Sequence, residues 1–266
     1  MPFEQLIVLA IIQGLTEFLP ISSSGHLNLL HLLTQWQDQG PLLDVSIHVG
    51  SLFAVVLYFW RDVGGLFGGF FDLCRGHLSQ QSRFLLYLIV ATIPVFIFGF
   101  ILLKTGWIEN LRTLSVIAWT NIIFAIILGL SDRIGATTRD MSSITLRDSI
   151  FIGAIQAVAL IPGASRSGVT ISMARYLGFN RVDAARVSML LSIPTVLGLG
   201  IATGFELYGT GDLALQNDAV IAAGLAFVSA FISIWFMMAL LRRMTLMPFV
   251  AYRLIGGTAL LVYIYW

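Results

Sequence analysis

Six long apolar stretches constrain this chain more than any other feature of its sequence. Each has about 18 to 25 residues, and a helix crosses a hydrocarbon core of about 30 Å with roughly 20 residues. Only 11% of the 266 residues are charged, against about a quarter in an ordinary soluble domain. The pattern predicts an all-α polytopic membrane protein. The six predicted spans cover residues 43–60, 83–103, 113–131, 183–205, 217–241 and 247–265.

Two further apolar regions, about 3–33 and 147–177, are interrupted in the middle. The first breaks at LPISSSG and the second at IPGASRSG, so each half has only about a dozen residues and is too short to span. Such a segment predicts a re-entrant helical hairpin. Irregular backbone at membrane depth is tolerated only where protein buries it or where it lines a wet cavity.

The two interrupted regions also match each other. A shift of 143 residues aligns SSSG at 22–25 with SRSG at 165–168. Three predicted spans follow each hairpin, and an odd number of crossings turns the second unit upside down. The sequence therefore predicts a single membrane domain, 1–266, built as an inverted-topology repeat of residues 1–135 and 136–266.

The distribution of basic residues orients these predicted spans. Only Lys104 and Arg112 fall at one end of the bundle. The eleven cations at the other end are Arg61, Arg75, Arg83, Arg133, Arg139, Arg147, Arg175, Arg181, Arg186, Arg242 and Arg243. The positive-inside rule makes the arginine-rich end cytoplasmic. Both termini are then expected outside, and the site, carried by a first hairpin that enters from outside, is expected to open outward.

The first hairpin tip, TEFLPISSSGH, concentrates polar groups inside apolar sequence. Glu17 follows Gln13 by one helical turn, so both lie on one face of the first short helix. His26 and the serines at 22–24 come just after the break. An ionisable group at membrane depth indicates function. The structural alternatives are a hydrogen-bonded carboxylate, a core histidine and serines that cap the returning helix.

The second tip, PGASRSGVT, is suited to an anion. Gly163 and Gly168 allow close approach of a ligand to the backbone. Ser165 is predicted to cap a helix whose free N–H groups favour negative charge. Arg166 adds a cation that binds phosphate oxygens in pairs. The structural alternative for Arg166 is an ion pair with Glu17 that serves stability alone.

Together the two tips predict phosphoryl chemistry on a membrane-embedded substrate. A carboxylate with a neutral oxygen suits a hard divalent cation, Mg²⁺ or Ca²⁺, and Glu17 is the candidate ligand. An arginine and a cation neutralise charge during phosphoryl transfer. Serine or histidine is the candidate nucleophile, with Glu17 as base or metal ligand.

QGLTEFLPISSSGH resembles the first motif of the undecaprenyl-diphosphate phosphatase (bacitracin-resistance) family, and PGASRSGVT is similar to its second motif. The resemblance extends over the whole chain, through LLDVSIHVGSLFAVV and MPFVAYRL. It implies hydrolysis of undecaprenyl diphosphate to undecaprenyl phosphate with a divalent cation, in the plasma (inner) membrane of a bacterium. That reaction recycles the lipid carrier of cell-wall (peptidoglycan) synthesis.

The resemblance also implies roles for individual residues. The candidate catalytic residues are Glu17, Ser23, His26 and Arg166, and the sequence leaves the choice between Ser23 and His26 as nucleophile open. The candidate substrate-binding residues are Gln13, Ser22, Ser24, Gly163, Ser165, Arg166, Ser167 and Thr170. Asp44, His48 and Arg253 are expected to line the cavity or orient these groups. Many family members carry Glu where this chain has Gln13, so Gln13 is not expected to carry charge to the metal.

The expected partners are a polyprenyl diphosphate lipid and the surrounding membrane lipid. No basic patch indicates nucleic acid, and the pattern allows a homo-oligomer without fixing an oligomeric state. The rival from another class is a transporter or flippase for a lipid phosphate, because inverted repeats with broken helices are transporter architecture and a fold does not determine a function. A transporter needs a binding site but no activated nucleophile.

Overall fold

The computed structural model describes residues 2–34, 36, 40–209 and 212–266. Over these ranges the chain forms twelve α-helices and one 3-10 turn, Met141–Ser143, and no strand. The helices are α1 Phe3–Glu17, α2 Ser23–Leu33, α3 Gly40–Tyr58, α4 Trp60–Cys74, α5 Gln80–Thr105, α6 Trp107–Leu111, α7 Leu114–Ile134, α8 Leu146–Val158, α9 Arg166–Tyr176, α10 Arg181–Gly209, α11 Leu213–Leu241 and α12 Met247–Tyr265.

Six of the described helices are long and apolar enough to cross a membrane: α3, α5, α7, α10, α11 and α12. They correspond in order to the six predicted spans, with boundaries that differ by a few residues. The all-helical class and the number of spans are therefore confirmed, and the chain is a multi-pass membrane protein.

The two interrupted regions form the helix pairs α1 with α2 and α8 with α9, and the helices end and begin at the predicted breaks. The break before α2 ends at Ser22 (φ 72°) and the break before α9 at Ser165 (φ 71°), the two non-glycine residues with positive φ in the described ranges. Each serine caps the helix that follows: Ser22 accepts a hydrogen bond from the N–H of Gly25, and Ser165 from that of Gly168. The strained turns are thus offset by capping.

Small residues bring the short helices close to the long ones. Helix α1 packs against α11, and α8 packs against α5. A Cβ added to Gly14 would lie 2.5 Å from the carbonyl oxygen of Ala226, and one added to Gly153 would lie 2.5 Å from that of Ala91. Helices approach this closely in a membrane only where a side chain is missing or small.

Helix α4 lies outside the predicted spans and was not predicted as a helix. Its sequence, WRDVGGLFGGFFDLC, carries four glycines, which lower intrinsic helix stability by about 1 kcal/mol each. Val63, Leu66 and Gly69 face inward, and a Cβ on Gly69 would lie 2.6 Å from the backbone of Gln81. Packing against the start of α5 therefore stabilises the helix. The large apolar residues that it exposes are Trp60, Phe67, Phe70 and Phe71.

A buried ion cluster joins four helices at the arginine-rich end. Arg175, with no exposed surface, and Arg181 both donate to Asp132 Oδ1, at 3.2 and 2.6 Å. The other oxygen of Asp132 accepts from the backbone N–H of Leu246 at 3.0 Å. Asp132 thereby ties the ends of α7 and α9 to the starts of α10 and α12.

We expect Asp132→Asn to lower the free energy of unfolding by about 3 kcal/mol, because it leaves the buried Arg175 without a countercharge. Chemical denaturation in detergent micelles, followed by circular dichroism, measures the change. Asp140→Asn is the matched control, since Asp140 is exposed and asparagine caps a helix as well as aspartate does. Equal stability of the two variants would contradict the role given to Asp132.

Candidate active site

Glu17, at the end of α1, is the centre of a polar cluster inside the protein. Its side chain is only 6% exposed. Oε2 accepts hydrogen bonds from Gln13 Nε2 at 2.8 Å and from Ser23 Oγ at 2.7 Å. Oε1 accepts from Arg166 Nη2 at 2.8 Å. Both carboxylate oxygens are therefore compensated, as a buried charge requires.

The Glu17–Arg166 ion pair connects parts of the chain 149 residues apart. Arg166 is the first residue of α9, and its side chain is 14% exposed. Its second terminal nitrogen donates to the carbonyl oxygen of Ser188 at 3.4 Å, and its guanidinium lies 5.9 Å from the Phe18 ring centroid. The structure thus brings together the predicted residues Gln13, Glu17, Ser23 and Arg166.

Two residues of α3 extend this cluster. His48 Nε2 lies 3.5 Å from Glu17 Oε2, and His48 Nδ1 is 2.6 Å from the carbonyl oxygen of Asp44, to which it donates. Asp44 and His48 also line a cavity of about 70 Å³ with Ser24 and Arg112. The cavity thus lies beside His48, the residue of α3 that is closest to Glu17.

The His26 ring makes two contacts, one with the backbone of Ser22 and one with α12. Its Nδ1 lies 2.7 Å from the carbonyl oxygen of Ser22, which can only accept, so Nδ1 carries the proton. In neutral His26, Nε2 therefore accepts from the hydroxyl of Tyr252, at 2.6 Å, and the two rings stack at 5.8 Å with 11° between their planes. The sequence reasoning missed Tyr252, although it lies in MPFVAYRL, because helix spacing alone does not show which side of α12 faces α2.

The serines at the two breaks make different hydrogen bonds. The hydroxyls of Ser22 and Ser165 cap α2 and α9, and they lie 3.3 and 3.2 Å from those of Ser24 and Ser167. Ser167 also donates to the carbonyl oxygen of Leu19 at 2.9 Å, which joins the two tips directly. Ser23 differs from these four because its hydroxyl bonds the carboxylate itself.

Three other predicted binding positions are occupied by protein contacts. Thr170 is buried and bonds the hydroxyl of Ser188 at 2.6 Å. A Cβ on Gly163 (φ 88°) would lie 2.1 Å from Thr120 Oγ1, and one on Gly168 would lie 2.9 Å from Arg253 Nη1. In this structure both glycines make room for neighbouring protein groups.

Arg253, predicted to line the cavity or to orient the site residues, connects the backbones of both tips. Its guanidinium is buried and donates to the carbonyl oxygens of Pro20 at 3.3 Å, Gly163 at 2.8 Å and Ala164 at 3.1 Å. It also donates to that of Thr120 at 3.4 Å. These breaks lack helical hydrogen bonds, and Arg253 supplies the donors that a buried backbone needs.

The side chains around Glu17 can be compared with the ligands that a divalent cation requires. No group of three or more His, Cys, Asp and Glu side chains in the described part of the chain is arranged to hold a metal. Glu17 offers one carboxylate and Ser23 one hydroxyl, and the buried Gln13 Oε1 has no partner among the described residues. This set fits Mg²⁺ or Ca²⁺ bound mainly by substrate oxygens and water.

We expect Arg253→Met to lower the free energy of unfolding by about 2–4 kcal/mol, because the carbonyl groups at both tips lose their buried donor. The measurement is denaturation in micelles, with exposed Arg243→Met as control. If both variants unfold alike, Arg253 does not hold the tips together.

Comparison with known proteins gives the family. A family model described as bacitracin resistance protein BacA matches residues 6–259. Undecaprenyl-diphosphatase of Roseobacter denitrificans is 50% identical over 266 residues, covering 100% of both chains. That of Jannaschia sp. is 48% identical over 261 residues, 98% of each chain. That of Hahella chejuensis is 46% identical over 267 residues, 100% of this chain and 99% of its own. The chain belongs to the BacA family of bacitracin resistance proteins.

Proposed function

We propose that this protein is a membrane phosphatase that hydrolyses undecaprenyl diphosphate to undecaprenyl phosphate and phosphate. The observation that carries the proposal is the desolvated Glu17–Arg166 pair, at 2.8 Å, with a serine hydroxyl on the same carboxylate. The family and the names of the relatives support this activity over transport alone. Its product returns the lipid carrier to bacterial cell-wall synthesis.

Arg166 and the surrounding hydroxyls are proposed to hold the diphosphate. Its planar guanidinium binds two phosphate oxygens at once. In the structure one of its terminal nitrogens donates to Glu17 and the other donates to the Ser188 carbonyl oxygen, at 3.4 Å. A diphosphate would thus join Glu17 as a second partner of a cation that is already desolvated and oriented, which favours transition-state stabilisation.

Ser23 is the proposed nucleophile, with Glu17 as its base. The Ser23 hydroxyl donates to Glu17 Oε2 at 2.7 Å, within reach for proton transfer. His26 Nε2, by contrast, is occupied by the Tyr252 hydroxyl. Ser23 Oγ would attack the terminal phosphorus as its proton passes to Glu17. The bond to the bridging oxygen would break to release undecaprenyl phosphate, and water would then hydrolyse the phosphoserine.

A divalent cation, Mg²⁺ or Ca²⁺, is part of the proposal. Glu17 would be its protein ligand, with Ser23 next to it, and the diphosphate would bring the remaining oxygens. When bound, the cation neutralises charge on the diphosphate during transfer. Arg166 orients the phosphoryl oxygens, and the carboxylate keeps the nucleophile in place.

We also propose that residues 1–135 and 136–266 form an inverted repeat whose two helix pairs re-enter the membrane. Two sets of paired observations support it. Serines at the same relative position, Ser22 and Ser165, adopt φ values of 72° and 71° and cap the following helix in the same way. Helix α1 packs on α11 as α8 packs on α5.

The proposed orientation has both termini outside and the site opening outward. Arg112, one of two cations predicted at the outer end, lines the small cavity beside His48. That cavity is where water or the phosphate product would enter or leave, while the prenyl tail would lie among the apolar helices.

Phosphate release from undecaprenyl diphosphate by the purified protein in detergent tests the activity. We expect release that a chelator abolishes, and a fall of at least 100-fold in Arg166→Ala, because the cation that faces the developing charge is lost. Exposed Arg243→Ala should keep native activity. No release from well-folded native protein would overturn the proposal, and flux of lipid phosphate in vesicles would then test the transporter alternative.

Replacement of single serines tests the nucleophile. We expect Ser23→Ala to lower kcat at least 1,000-fold, as removal of a nucleophile does. Ser24→Ala, whose hydroxyl bonds that of Ser22 and not the carboxylate, should retain activity within about 10-fold. Trapping of a phosphoenzyme from labelled substrate in the native protein but not in Ser23→Ala would support the covalent step. Equal activities of the two variants would exclude it.

A further inference from the structure

A second cavity, of about 850 Å³, shares no lining residue with the Glu17 cluster. It is lined by the start of α4, the start of α5, the 3-10 turn and the start of α10. Asp44, beside the small cavity, and Arg61, on the wall of the large one, are separated by 17 residues that are mostly α3. At 1.5 Å per residue this is about 26 Å, close to the thickness of a hydrocarbon core. Helix α3, which is long enough to cross a membrane, thus separates Asp44 on the small cavity from Arg61 on the large one.

Helix α4 has the pattern of a helix that lies along a membrane interface. Its outward face carries Trp60, Phe67 and Phe71, each more than half exposed. The Arg61 guanidinium lies 5.2 Å from the centroid of the Trp60 ring. An amphipathic helix with aromatic residues on one face and arginine beside them lies along a membrane interface. The inner side of this helix forms one wall of the cavity.

Some charged groups on the cavity wall form ion pairs and others do not. Arg186 donates to both carboxylate oxygens of Asp62 and lies 3.9 Å from Asp183. The carboxylate of Asp140 accepts from Ser142 and from the N–H of Ser143.

Arg61 and Arg83 complete the charged lining, and neither has a carboxylate partner among the described residues. The lining also includes the apolar residues Leu66, Phe84 and Ile144. The lining therefore carries three arginines and three aspartates, and Arg61 and Arg83 are the arginines without an ion pair among the described residues.

We propose that this cavity binds the phosphate headgroup of an anionic glycerophospholipid from the adjacent leaflet, which is the cytoplasmic leaflet in the proposed orientation. Arg61 and Arg83 hold the phosphate oxygens, and the apolar wall takes the glycerol and the first acyl carbons. Arginines without an ion pair at the cytoplasmic ends of helices are suited to such headgroups. The site does not depend on the phosphatase activity, since no residue on its wall belongs to the Glu17 cluster.

Lipid binding to the delipidated protein tests the site. Phosphatidylglycerol is titrated into the protein in detergent, and native mass spectrometry measures the bound fraction. We expect the double variant Arg61→Gln with Arg83→Gln to raise the Kd at least 10-fold, and each single variant about 3-fold. Arg147→Gln is the matched control, because Arg147 also lies over an aromatic ring, Phe151, at the arginine-rich end but outside the cavity. It should change Kd less than 2-fold.

Inorganic phosphate in place of phosphatidylglycerol separates the two sources of the ligand. We expect it to bind at least 10-fold more weakly, because it lacks the parts that contact the apolar wall. Equal affinity would show a free-phosphate site and overturn the lipid assignment. An equal loss of lipid in Arg147→Gln, or no loss in the double variant, would overturn the site itself. Melting temperatures without lipid check folding, and the single variants carry the test if the double variant does not fold.

Discussion

The ion pair between Glu17 and Arg166 is the interaction on which the rest of this structure depends. A carboxylate taken out of water is unstable unless opposite charge and hydrogen bonds replace its hydration. The two groups come from helix pairs 149 residues apart in the chain, so each part of the site is stable only when the other is in place. Ser167 reinforces this closure with a bond to the backbone of the opposite tip, and Arg253 reinforces it with bonds from α12 to the backbone of both tips.

The same arrangement accounts for the strained turns. In a continuous helix the backbone carbonyl and N–H groups bond one another, so none would be left for a ligand or for Arg253. The breaks release these groups, and Ser22 and Ser165 recover part of the energy by capping α2 and α9. The site is thus made of backbone irregularities that are stabilised by side chains from elsewhere in the fold.

Much of this architecture is predictable from sequence because the bilayer imposes a length on apolar helices. The six spans, the two breaks and the cap at Ser165 follow from local pattern and helix chemistry. The pairing of Glu17 with Arg166 was also predictable, because two buried charges of opposite sign stabilise each other. Helix α4 was missed because its stability comes from contact with α5, and the contact between Tyr252 and His26 depends on helix rotation. Tertiary packing determines both the stability of α4 and the contact between Tyr252 and His26, and no local sequence pattern predicts either.

A structure with a non-hydrolysable prenyl bisphosphonate bound would test the central claim most directly. The account predicts phosphonate oxygens within hydrogen-bond distance of the Arg166 guanidinium and the Ser23 hydroxyl, with Arg166 shared between the ligand and Glu17. A bisphosphonate bound elsewhere, with the Glu17–Arg166 pair unchanged at 2.8 Å, would contradict it.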